Sequence, residues 1–205
     1  MIARRAILAA GAALALSLGS LGARAAATPI ATLDSFYGVL TSVMKDGQKL
    51  GFAGRRQALA PAVTRAFDLA LMTRLVVGLQ WSSLSQDEQR QLVAAFSAFS
   101  IATYASQFDD YSGERFEVDP KTSPAPGGDI IVHTKLVQSD GSPVQLNYLL
   151  RHEQGGWRII DVFLSGTISQ LAARRSEFTA ILRQQGASGL ISVLKEKTTA
   201  LANGA

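Results

Sequence analysis

The 205-residue chain has no cysteine and only two histidines, His133 and His152. The first absence excludes a disulfide framework and thiolate chemistry. The second leaves too few soft ligands for a zinc centre without help from carboxylates. Charged residues make up only 18% of the chain, and no run of one sign stands out. The G-x-S-x-G context of a nucleophile elbow is missing around Ser165-Gly166, and Gly127-Gly128 and Gly155-Gly156 lack the strand-to-helix setting of a phosphate loop. No internal repeat is present.

What is present begins with a segment that has the layout of an export signal. Arg4 and Arg5 precede an apolar run from Ala6 to Leu18, and Ala23-Arg24-Ala25 fits a small-residue cleavage site. Residues 1–25 are therefore expected to be removed, leaving a single domain over 26–205 in the periplasm or outside the cell. Arg4, Arg5 and Arg24 leave with the signal, so the formal charge of +4 falls to about +1. The basic balance belongs to the leader, and nucleic acid is not an expected partner.

Helical periodicity dominates the first half. Leu33, Phe36, Tyr37, Leu40, Val43 and Met44 recur every three or four residues, Gly47 and Gly51 punctuate the end, and a second helical segment breaks near Pro61. Val63, Phe67, Leu71, Leu75 and Val76 continue the pattern, with Asp68 placed to restart a helix as its N-cap. Ser85 and Glu88 form a capping box ahead of a long helix lined by Leu92, Phe96, Phe99 and Tyr104.

The period then switches to alternation. A short strand carries Phe116 and Val118, and residues 119–128, rich in Pro, Gly and Ser, read as a mobile loop. Strands over 129–138 and 144–152 flank the hairpin signal Asp140-Gly141, and a third runs from Trp157 to Leu164. A helix from Ile168 to Gln185 follows, with Gly186 as its C′ residue and a last helix from Ser188. Helices, then strands, then helices predict an α+β fold with an antiparallel sheet of about four strands.

An apolar cavity between sheet and helices is the feature this layout favours. The sheet would contribute Val132, Leu136, Leu146, Tyr148, Val162 and either Ile159 or Ile160; the helices would contribute Phe67, Leu71, Leu75, Phe96 and Phe99. Arg174 and Arg175, with Arg183, give the post-strand helix a basic side, suited to an anionic headgroup or an acidic partner, or to nothing beyond solvent. The histidines are expected out of register, with His133 pairing nearer Arg151. Asp109-Asp110 reads as a helix terminus. Asp161, an acid among Ile159, Ile160, Val162 and Phe163, has two readings: a hydrogen-bonded structural acid, which is favoured, or a general base facing the cavity.

Several stretches together resemble the MlaC or toluene-tolerance family of periplasmic lipid-binding proteins. They are Phe67-Asp68 through Leu75-Val76-Val77-Gly78-Leu79-Gln80-Trp81, Ser85 to Gln89, Thr103-Tyr104-Ala105 with Tyr111-Ser112-Gly113, Gly156 to Val162, and Arg175 to Phe178 with Leu182 to Gly186. Leu50 to Arg55, Phe108 to Gly113 and Ser165 to Ala172 look like the hopanoid-biosynthesis-associated branch, HpnM. The resemblance implies a nuclear-transport-factor-2-like or cystatin-like fold that holds acyl chains, without cofactor or catalysis. It also implies a shuttle between an inner-membrane transporter, of the ABC type with an MCE component or of the resistance-nodulation-division type in the hopanoid branch, and an outer-membrane lipid acceptor. The same fold carrying a hydratase or isomerase, with Asp161 as base, is the alternative.

Overall fold

The computed structural model describes residues 28–204, so the export signal expected over 1–25 lies outside the described residues. Thr28 caps the first helix, its hydroxyl accepting from the Ala31 N–H at 3.0 Å, with Pro29 inside the first turn. Proline suits that place because its missing donor would have no partner there. The helix α1 (Pro29–Lys45) therefore begins directly after Thr28.

Helix α2 (Gly47–Ala66) starts at once, and Gly51, at φ 58 and ψ 175, interrupts it. Pro61, expected to break the chain, sits within the helix instead. Arg55 is buried and pins the start of α2: its Nε donates to the Ala105 carbonyl at 2.8 Å and its Nη1 to the Gly47 carbonyl at 2.9 Å.

Asp68 does restart the helix, accepting from the Leu71 N–H at 2.8 Å at the head of α3 (Leu69–Val77). That cap sets the rotation of the helix. Leu69, Met72, Thr73, Val76 and Val77 turn inward, while Leu71 and Leu75 are only half-buried and stand outside the core. A 3-10 turn over Gly78–Ser83 leads to α4 (Gln86–Gln107), whose capping box has Ser85 and Glu88 each bonding the other's backbone.

The sheet has five strands rather than four, in the simple order β1-β2-β3-β4-β5 with every pair antiparallel. They are β1 (Arg115–Pro124), β2 (Ile130–Val137), β3 (Pro143–Glu153), β4 (Gly156–Leu164) and β5 (Ile168–Ser169). Most of the segment expected to be a loop belongs to β1, which passes an irregularity between Val118 and Thr122 and pairs Thr122 with Val132. An edge strand is held by its backbone on one side only, so it needs neither an apolar anchor nor freedom from proline. His133 pairs with Asn147, not near Arg151, and His152 with Trp157.

One bulge decides the faces of β4. Leu150 pairs with Ile159 and Leu149 with Asp161, so Ile160 is an extra residue without a partner. The insertion shifts the alternation by one and brings Ile159 and Val162 to the same face, opposite Leu150 and Tyr148. Ile160 is buried, but it is not part of the main core cluster. The junction of α2 and α3 is tied to β4 by a parallel bridge between Phe67 and Ile159, and Arg158 Nη2 donates to the carbonyls of Thr64 and Phe67. The last helix, α5 (Gln170–Ala202), is bent at Gly186, where φ is +67.

Candidate functional site

Between the inward face of the sheet and helices α3, α4 and the start of α5 lies a cavity of about 170 Å³. Val63, Phe67, Leu69 and Met72 close one side. Phe96, Ser100, Thr103, Tyr104 and Gln107 form a stripe along α4, and Leu146, Tyr148, Val162 and Leu164 come from β3 and β4. The stripe from Phe96 to Gln107 spans twelve residues, or roughly 16 Å of helix from first to last. Leu171 and Arg174, one turn apart at the head of α5, complete the wall.

Of the residues expected to line such a space, Phe67, Phe96, Leu146, Tyr148, Val162 and Arg174 do. Phe99 lies one step away: the Arg174 guanidinium sits 4.6 Å from its ring centroid. Val132 is fully buried beneath the sheet, paired with Tyr148, and Leu136 is half-buried opposite Phe116 and Val144. Ile160 is displaced by the bulge, and Leu71 and Leu75 by the Asp68 cap. Arg175 is exposed and packs over Gly78, where any Cβ would meet its guanidinium. Sequence reasoning missed Leu69, Met72, Leu171 and the polar members Ser100, Thr103 and Gln107. The first two were recoverable by counting the α3 phase from its N-cap.

Asp161 lines the cavity, yet its oxygens are occupied. Oδ1 accepts from the Val162 N–H at 2.7 Å and the Leu171 N–H at 3.0 Å, and Oδ2 from the Ser169 hydroxyl at 2.5 Å. Ser169 Oγ in turn accepts from the Ala172 N–H at 2.9 Å. Together the two side chains satisfy two of the four donors that a helix start leaves free. Asp161 thus fastens α5 to β4.

Arg174 is largely withdrawn from water and makes no salt bridge among the described residues. Burial draws its pKa down, while Glu177 and Tyr104 act in the opposite sense. Two phenols, Tyr104 and Tyr148, line the cavity, and Tyr37 stands edge-on to Tyr148 outside it; burial pushes Tyr37 up to about 12 and also raises Tyr104 and Tyr148. The histidines lie elsewhere. His133 is held between Ser123 and Asn147, and His152 stands edge-on to Trp157. Among the described residues no three His, Asp or Glu gather into a metal site, and no helix is long and apolar enough to cross a membrane.

A meander sheet closed by helices over a mainly apolar chamber, with one unpaired arginine in its wall, defines an α+β container protein. The family model described as MlaC protein matches residues 36–196, and the chain belongs to that family. A solved structure of the phospholipid-binding protein from Ralstonia solanacearum, in complex with a phospholipid, shares the fold. Its TM-score is 0.73 and its identity 22%, over 84% of this chain and 97% of that one. A search of curated proteins found no match.

Proposed function

We propose that this protein is a periplasmic carrier that binds phospholipid or a hopanoid and moves it between the inner and outer membranes. The observation that carries the reading is the chamber itself, bounded by Phe67, Met72, Phe96 and Leu171, with Arg174 in its wall. Membership of the MlaC family supports it, as does the phospholipid held by the Ralstonia solanacearum protein. The signal-like residues 1–25 support an extracytoplasmic place. Withdrawing an acyl chain from a bilayer into water costs about 0.8 kcal/mol per CH₂, so a carrier must offer a dry compartment instead.

At about 170 Å³ the chamber is close to the size that admits a benzene-sized guest, and a two-chain lipid needs several times more. Loading therefore requires its walls to part. In this reading Arg174 faces the lipid phosphate. The inner-membrane partner is a lipid transporter of the ABC/MCE or resistance-nodulation-division type, the latter if the chain belongs to the HpnM branch, and the recipient is an outer-membrane lipid acceptor.

The enzymatic alternative draws on Asp161 facing the chamber, but a base needs a free lone pair aimed at its substrate, and this carboxylate is committed to the start of α5. Solvent extraction of the purified protein followed by mass spectrometry tests the carrier. Stoichiometric lipid is expected, and Leu171→Trp, which fills the chamber, should lower occupancy several-fold while the protein stays folded. Absence of lipid after incubation with phospholipid vesicles would overturn the reading.

A further inference from the structure

Behind the aromatic wall of the chamber lies a second cleft, of about 550 Å³, between α1, the end of α2 and the turn that joins β3 to β4. Phe36 lines this cleft and Phe67 the chamber, and their rings meet edge-on with centroids 5.3 Å apart. The Thr32 hydroxyl donates to the Trp157 carbonyl at 3.2 Å, which ties the α1 wall of the cleft to its β4 wall. Its volume falls in the range of small-molecule sites, about 300–1,000 Å³. Phe36, Val39, Ala62, Ala66 and Trp157 give it an apolar surface.

The charge of the cleft has one sign. Arg65, Arg158 and His152 line it, and no Asp or Glu does. Two acids lie near in sequence, and periodicity turns both away: Asp34 falls on the side of α1 opposite Phe36, and Glu153 alternates with the lining residues His152 and Gln154. Among the described residues neither arginine makes a salt bridge. Arg158 is nonetheless held in place, because its Nη2 donates to the carbonyls of Thr64 at 2.7 Å and Phe67 at 2.8 Å. Its Nε is the one buried side-chain nitrogen or oxygen among the described residues that lacks a hydrogen-bond partner. A buried donor is costly to leave unpaired, so a fixed guanidinium with an orphaned N–H points to an acceptor from outside the chain.

We propose that this cleft is a second binding site, separate from the chamber, for a small organic anion: a carboxylate or phosphate ester set against Arg158 and Arg65, with His152 as a further donor and its apolar body on Phe36 and Trp157. 3-Phenylpropionate and its amide test this, since they share a shape and differ in charge, and the indole N–H resonance of Trp157 reports from the cleft itself. The carboxylate should shift that resonance saturably and leave Trp81 in place, and the amide should bind about 10-fold more weakly, the worth of one charge-assisted hydrogen bond. Benzyl phosphate carries the other oxyanion, and the tighter binder of the two names the headgroup. The Arg65→Gln/His152→Gln double variant changes two exposed side chains, so it should stay folded and lose most of the preference for the anion. Leu171→Trp, which fills the chamber, should leave the preference unchanged. Equal affinities for acid and amide, a preference that survives the double variant, or no saturable shift at Trp157 with either anion at millimolar concentration would overturn the inference.

Discussion

Replacing Asp161 separates a helix fastener from a base by arithmetic alone. Both backbone donors, Val162 N–H and Leu171 N–H, converge on Oδ1, and only the Ser169 hydroxyl uses Oδ2. In Asp161→Asn the amide oxygen can therefore take the place of Oδ1 and keep both backbone bonds. The new amide nitrogen meets Ser169, which can rotate its hydrogen away and accept. What is lost is the charge assistance, about 1 kcal/mol.

Asp161→Ala removes the acceptor from two partly buried N–H groups and a hydroxyl, and should cost about 3 kcal/mol. For a domain of this size those losses correspond to melting points lower by roughly 2–4 °C and 6–12 °C. Urea unfolding followed by circular dichroism measures the free energies, and a cycle with Ser169→Ala should give a coupling of about 1 kcal/mol between the two caps. Hydrogen exchange should rise at Leu171 first, because its amide loses its acceptor. Equal losses for the Asn and Ala variants, or a loss below about 0.5 kcal/mol for Ala, would refute the fastening role.

Arg55→Ala leaves the Ala105 and Gly47 carbonyls without their buried donor and should cost about 2–4 kcal/mol in urea unfolding. Arg55→Lys should recover less than half, because one ammonium cannot reproduce the two-armed geometry. Alkaline stability follows from Tyr37, Tyr104 and Tyr148, whose folded pKa values all lie above the ordinary phenol value. The folded state holds protons that the unfolded chain has released, so the stabilisation is complete below about pH 10 and falls as pH rises past it. Each phenol contributes a slope of up to roughly 1.4 kcal/mol per pH unit. Equilibrium unfolding at a series of alkaline pH values checks this, and phenolate absorbance from these three residues should appear together with unfolding rather than before it.

The elements that announced themselves in sequence were those held by local chemistry. Ser85 and Glu88 cap α4 through their own side chains, and Asp140-Gly141 turns the β2–β3 hairpin, so neither needed a distant partner. The sheet and its helical cover were legible for the same reason. Three failures of detail had non-local causes. Leu71 and Leu75 share the helical period with the true inward set, and only the angle at which Asp68 starts α3 distinguishes them. Ile160 alternates properly along β4, and the bulge becomes visible only against β3. Residues 119–124 look like a loop because pairing on one edge leaves no mark on side-chain pattern. The phenolic patch was the least legible part: Tyr37, Tyr104 and Tyr148 come from three elements, and no spacing along the chain brings them together.

The bulge at Ile160 has a consequence beyond aiming Val162. The outer side of β4 is a strand edge, the kind of surface on which a second chain can add itself and begin an aggregate. Here that edge is broken up along its length. Phe67 and Asp68 occupy it at Ile159, the bulge interrupts its repeat at Ile160, and the two-residue β5 covers Phe163 and Leu164. At the opposite border β1 carries Pro120 and Pro124 among the charges of Arg115, Glu117, Asp119 and Lys121. The contacts that shape one wall of the chamber thus also keep the sheet from polymerising, which gives a protein with a partly empty interior protection that its core packing alone does not supply.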